Sequence, residues 1–228
     1  MTSQSSDLRQ REEDLLKEIA AVCETAIEQK VIPDSLPRLV RQYALLVRSM
    51  LDGCAAELRA FVQASSKDAG VAPASGDIPV RYPIASDAPA LLRAVRTDFP
   101  GLTERHPELL RLFMDNQPFL DGDSWLSLVD RLASGEEPPA LAPRTGGGLV
   151  RLSLMTYHGE EISFASDAST DTAVRSATGA TGTSPAAWTG VNLAANDSDL
   201  LVALLAVHDG LGALLDAAAA AVGRTEAE

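Results

Sequence analysis

Two stretches at the start of the chain carry an apolar repeat that a helix satisfies and a strand does not. Between Leu8 and Lys30, Leu15, Ile19, Val22, Cys23 and Ala26 recur at helical spacing, while Glu13, Asp14, Lys17, Glu24 and Glu28 take the other face. Val31-Ile32-Pro33 ends that pattern. Asp34 and Ser35 offer capping oxygens, Pro37 suits a first helical turn, and a second stripe follows: Leu39, Tyr43, Leu46, Val47, Met50, Cys54, Leu58, Phe61 and Val62. Two long helices joined by a short proline turn fold back as an antiparallel hairpin.

The rest of the chain is shorter in period. Residues 64–77 have linker composition. Three helices are expected near 87–97, 107–116 and 124–134, with Pro107 at a first helical position and Asp123 as a cap for the third. After Pro138-Pro139 the period drops to 2: Leu149–Tyr157 and Glu161–Phe164 flank His158-Gly159 as a hairpin, and a third strand is expected over Ala187–Leu193. Asp167 to Pro185 is loop-like. Asp197 or Ser198 is placed to cap a last helix with Leu200, Leu204, Val207, Leu211, Leu214 and Leu215 on its apolar face. The expected fold is α+β, predominantly α, in a single domain over 1–228: a helical hairpin (8–66), short helices (78–137), and a small antiparallel sheet of about three strands plus a closing helix (147–223).

Charge narrows the function. The chain carries 32 acidic and 19 basic side chains, a formal net charge of −13. This disfavours a nucleic-acid binder, which needs a basic stripe, and docking on an anionic membrane. After residue 146 only Arg151, Arg175 and Arg224 oppose ten carboxylates. An acidic C-terminal region of that kind attracts a basic protein partner, and Asp167, Asp171, Asp197, Asp199, Asp209 and Asp216 are the residues expected to face it. Leu200 to Val222 is the most apolar window, but His208, Asp209 and Asp216 interrupt it, so it reads as a buried helix of a soluble protein and not as a bilayer span. The opening Met-Thr-Ser-Gln-Ser-Ser-Asp has no basic segment followed by an apolar one, which predicts a cytoplasmic protein. Cys23 and Cys54, each on an apolar stripe, are expected as buried thiols.

No motif specifies a reaction. Gly146-Gly147-Gly148 lacks the lysine and following helix of a phosphate loop. Asp121-Gly122-Asp123 would need an acidic residue at 132 to close a calcium loop, and that position is Leu132. His106, His158 and His208 include no pair four apart, so no metal site and no cofactor are expected. Arg151 and His158 match the loose Arg-x(4–6)-His spacing of the HEPN class of helical ribonucleases, but Leu-Ser-Leu-Met-Thr-Tyr between them alternates as a strand. An extended chain would hold the two residues about 23 Å apart.

Three stretches resemble a group of uncharacterised bacterial proteins with a HEPN-like helical region: Leu46-Val-Arg-Ser-Met-Leu-Asp52; Pro79 to Phe99 with Tyr82-Pro83-Ile84; and His106-Pro107-Glu108 through Gln117-Pro118-Phe119 to Trp125-Leu126-Ser-Leu128. Trp188, Asn196-Asp197 and the last helix extend it. In that group the third short helix runs into an Asn-x-Lys-His type segment, where this chain has Leu132-Ala-Ser-Gly-Glu-Glu-Pro-Pro-Ala. The departure points to a relative without RNA chemistry. The function read from the sequence is therefore a non-enzymatic, cytoplasmic interaction module, an accessory or regulatory subunit of the kind found in bacterial conflict (defence) systems. The alternatives are a divergent HEPN-like ribonuclease using Arg151 and His158, and a homo-oligomeric scaffold, with a homodimer formed through the hairpin.

Overall fold

The computed structural model describes residues 3–67, 79–120, 124–135, 137–145, 150–155, 161–167 and 188–225, with side chains placed for 6–64, 79–120, 124–135, 137–145 and 188–223. The linker 68–77, the cap Asp123, the Asp121-Gly122-Asp123 and Gly146–Gly148 motifs, the His158-Gly159 turn and the loop 168–185 lie outside the described residues. Among the described residues are seven helices and five strands. The α+β, predominantly helical class is as expected from the sequence.

Helix α1 (Ser3–Gln29) and helix α2 (Ser35–Lys67) form the two long N-terminal rods. The turn between them is closed by backbone bonds. Val31 N donates to Ala26 O at 3.1 Å, and Leu36 N to Pro33 O at 3.0 Å. Lys30, just past the end of α1, takes φ 55°, the left-handed conformation that lets the chain leave a helix. Buried positions on α1 run Glu12, Leu16, Ile19, Cys23, Ala26, in alternating steps of four and three. That is the seam of helices packing side by side. On α2 the buried face is wider than the sequence stripe, taking in Leu36, Val40, Ala44, Leu51 and Ala55, while Leu39 and Leu46 sit half-buried. Helix α7 (Leu200–Thr225) has the same alternating seam: Leu200, Leu204, Val207, Leu211, Leu214, Ala218, Ala221.

The described residues form two compact units. The first comprises the described parts of Met1–Glu12, Gln42–Glu136 and Leu205–Glu228. Here helices α3 (Ala88–Asp98), α4 (Leu102–Arg105), α5 (Pro107–Asp115) and α6 (Trp125–Ser134) join the long helices. Phe113 is the centre of their aromatic core, its ring 5.2 Å from Tyr82 and 5.0 Å from Phe99. Helix α3 begins where Asp87 accepts a bond from Ala90 N at 2.7 Å. Helix α6 begins at Ser124, whose Oγ accepts from Ser127 N; the expected capping role belongs to this serine.

The extended segment before α3 has no strand partner, so side chains must satisfy its backbone. Tyr82 N donates to Asp52 Oδ1 at 2.8 Å and Tyr82 O accepts from Arg48 Nη2 at 3.1 Å. Arg48 also pairs with Asp52 and with Asp130 of α6. Two residues on, buried Gln117 takes over: its Nε2 donates to Pro83 O at 2.9 Å and to Phe113 O at 3.0 Å, and its Oε1 accepts from Ala85 N. The Tyr82-Pro83-Ile84 stretch is thus strapped down between α2 and α5.

The second unit comprises Glu13–Arg41 and the described parts of Glu137–Leu204. It contains a three-stranded antiparallel sheet in the order β1 (Leu141–Thr145), β4 (Trp188–Leu193), β5 (Ser198–Asp199). Strands β2 (Val150–Met155) and β3 (Glu161–Asp167) pair with each other in a separate antiparallel ladder, with Leu152 opposite Phe164. The sequence placed the third strand beside these two; it pairs instead with β1, which carries Pro143. Proline has no N–H to donate and is confined to edges, and β1 is an edge of its sheet.

Candidate functional site

Glu12 is fully buried, on a seam otherwise apolar. A carboxylate taken out of water needs bonded partners, and in the first unit two other helices supply them. Tyr43 of α2 donates its hydroxyl to Glu12 Oε1 at 2.6 Å. His208 of α7 brings Nδ1 to 2.9 Å from Oε2 and 3.1 Å from Oε1. Burial, and then the Glu12 carboxylate, push the Tyr43 hydroxyl well above its ordinary pKa, so it stays a donor. The hydrogen bond to Glu12 raises the pKa of the His208 imidazole against the lowering effect of burial, so the contact favours the protonated ring, in which it is a charge-assisted ion pair. Arg9 on α1 and Asp209 on α7 act on the same imidazole with opposite signs.

The sequence supports this placement in retrospect. Glu12 stands four residues before Leu16 and seven before Ile19, in step with the buried seam. His208 follows Leu204 by four. From the sequence, His208 reads as a histidine without a metal-ligand spacing and as an interruption of an apolar window, Tyr43 reads as part of an apolar stripe, and Glu12 has no role, because a carboxylate in register with an apolar stripe announces itself only when its partners are found elsewhere in the chain.

Two glycines set how closely side chains lie against this stretch of α7. At Gly210 a β-carbon would meet the Trp125 indole at 2.5–2.6 Å, and at Gly212 it would meet Arg9 Nη2 at 2.9 Å. A rigid ring occupies the first space and the flexible end of a side chain the second.

The six carboxylates expected to face a partner divide into four groups. Asp199 is internal to the second unit: it pairs with Arg144 at 2.9 Å and accepts from Val202 N at 3.1 Å, which makes it, and neither Asp197 nor Ser198, the cap of α7. Asp197 takes φ 54° in the turn between β4 and β5 and accepts from Asn192 Nδ2 at 2.6 Å. Asp209 and Asp216 are exposed, seven residues apart on one face of α7. Asp167 ends β3 and its side chain is outside the described residues, as is all of Asp171.

That exposed face has its own alternating order: Val202, Ala206, Asp209, Ala213, Asp216, Ala220. Helix α7 is, by length and composition, able to cross a membrane over Leu200–Gly223, and only 28% of its most apolar stretch is buried. The expectation of a buried helix therefore holds for one seam and not for the whole surface.

The remaining chemistry is structural in form. His106 is buried and packs its ring 5.0 Å from Phe61, with Nδ1 3.3 Å from Glu108. Cys23 and Cys54 are free, buried thiols, each pushed up to about 12 chiefly by burial. Among the described residues no group of three His, Cys, Asp or Glu side chains could hold a metal ion. Arg151 lies on strand β2, and His158 lies outside the described residues. No family model, no curated protein and no solved structure matches the chain.

Proposed function

We propose that this protein is a non-enzymatic interaction module of the cytosol, an accessory or regulatory subunit that offers the outer face of α7 to a protein partner carrying basic charge. The observation that carries this reading is the exposed row Val202, Ala206, Asp209, Ala213, Asp216, Ala220 on a helix whose opposite seam is already occupied. Steps of four and three suit a second helix lying alongside, and small side chains allow close approach. Arg224 is the only lysine or arginine in α7. In an antiparallel self-pairing centred on this row, Asp209 of each copy would face Ala213 of the other, which brings the two Asp209 carboxylates within about one helical turn of each other, so charge favours a basic partner over a second copy. Two free buried thiols are in keeping with a reducing compartment.

The test is site-specific photocrosslinking from Ala213 in the producing cell, with a crosslinker at exposed Glu57 on α2 as the control. The expected result is a discrete adduct to one protein from position 213, lost in the Asp209→Lys/Asp216→Lys variant. Equal adduct patterns from 213 and 57, or an adduct only to lipid, would overturn the reading.

A further inference from the structure

The second half of α7 is held by little apolar surface. Its seam there thins from Val207, Leu211 and Leu214 to Ala218 and Ala221. A buried leucine side chain contributes far more than an alanine methyl. Gly210 and Gly212 each weaken the helix relative to alanine. The polar layer at Glu12 adds a charge-bearing contact to this seam, beside Val207 and Leu211.

We propose that the Glu12–Tyr43–His208 layer is a latch, and that gain or loss of a proton by His208 gates the docking of α7 on α1 and α2. The inference concerns the bundle itself and does not depend on the partner face. Every charged or titratable group placed around the imidazole enters the balance. From α1, Glu12 holds it at 2.9 Å and Arg9 opposes its positive charge; from α2, Tyr43 donates to the same carboxylate; from α7 itself, Asp209 favours the charged form. With the proton on, the carboxylate has a cation and a hydroxyl donor. When the proton leaves, the neutral ring retains one N–H for Glu12, but the carboxylate stays buried without its counter-charge, which is an expensive arrangement inside a helical core. The least costly relief is local: α7 lifts, water reaches Glu12, and α2 with its strapped segment is left standing. Opening of a single element, short of unfolding the whole chain, is how proteins open below their global stability.

Hydrogen exchange on the full chain from pH 6 to pH 9, corrected for the intrinsic exchange rate, tests this. Protection of α7 peptides over 205–221 is expected to fall at least about threefold more than that of α2 peptides over 44–58 as pH rises. Protection of α7 that does not change with pH, or that falls in parallel with α2, overturns the proposal using the wild-type chain alone. In Glu12→Gln, protection of α7 is expected to be lower than in the wild type at pH 6, by at least about threefold, and to lose its extra fall with pH, while α2 stays protected; a Glu12→Gln chain that keeps the wild-type pH profile also overturns it. Far-ultraviolet circular dichroism of the variant establishes that the remaining helices are formed.

Discussion

Glu12 and His208 lie 196 residues apart in the chain and meet at 2.9 Å, with the carboxylate fully buried and the imidazole half-buried beside it. One side chain from the first helix and one from the last thus share a single charge-assisted bond, with Tyr43 completing the carboxylate's coordination from a third helix.

Substituting Glu12 or its donor Tyr43 has a calculable effect. Glu12→Gln keeps the shape and loses the charge, and is expected to lower unfolding stability by about 1–2 kcal/mol, less than a fully desolvated pair because His208 retains contact with water. Tyr43→Phe removes one donor from a buried carboxylate, for a loss of about 1–2 kcal/mol. Urea unfolding of both single variants and the double variant checks this. The two losses should add to more than the double variant shows, because both act on the same oxygen atoms.

The same pair fixes the sign of a pH dependence. Its folded-state pKa is raised above the ordinary 6.5 of the unfolded chain. The stabilisation is therefore fully present below that ordinary value and is lost as pH rises through the raised one. The urea midpoint of the wild type should be higher at pH 6 than at pH 8.5. In His208→Gln the part of that difference due to this residue disappears, and a variant with the wild-type difference would contradict the assignment.

Gly210 is where a single methyl group meets the most rigid neighbour. Gly210→Ala gains about 1 kcal/mol of helix propensity, but its β-carbon enters the Trp125 ring at 2.5–2.6 Å, and overpacking of that kind costs about 1–3 kcal/mol. Net destabilisation is expected, with a change in Trp125 fluorescence. Gly53→Ala has nothing within 4 Å and should stabilise, which makes it the control.

Asp199 performs two tasks that substitution separates. Asp199→Asn can still accept from Val202 N and loses the ion pair with Arg144; Asp199→Ala loses both. The asparagine variant is expected to lose about 0.5–1 kcal/mol and the alanine variant about 1 kcal/mol more. Thermal unfolding of the two, compared with Arg144→Ala, measures each share.

Much of the helical skeleton was legible because its period is long and its punctuation is explicit. Pro33, Asp87, Pro107 and Leu200 all stand where a helix ends or begins. The short elements were less so. Helix α4 is a single turn from Leu102 to Arg105, too brief to show a period. Strand β1 contains Pro143, which argues against a strand until its edge position is known. Strand β4 is buried from Gly190 to Val191, Asn192 and Leu193, so the alternation that marks a one-sided strand is missing. Of the six carboxylates, Asp209 and Asp216 lie exposed on α7, whereas the oxygens of Asp197 and Asp199 are engaged locally by a positive-φ turn and a helix start, which a count of charges does not reveal. Gln117 stands in one of the resembling stretches, but nothing in the sequence marks its bonding role. A single amide that ties Pro83, Ala85 and Phe113 together has no periodicity to reveal it.

The separation between Glu12 and its histidine also bears on how the chain is made. Synthesis at about 5–20 residues per second places roughly 10–40 seconds between the emergence of Glu12 and that of His208. Through that interval the α1–α2 hairpin is available, but its carboxylate has no imidazole and its share of the seam has no third helix. The nascent chain therefore spends its synthesis with an open apolar flank, and α7 arrives as the piece that closes it. A ribosome-bound chain stalled before residue 200 should be a substrate for chaperones, and one stalled well after residue 225 should not.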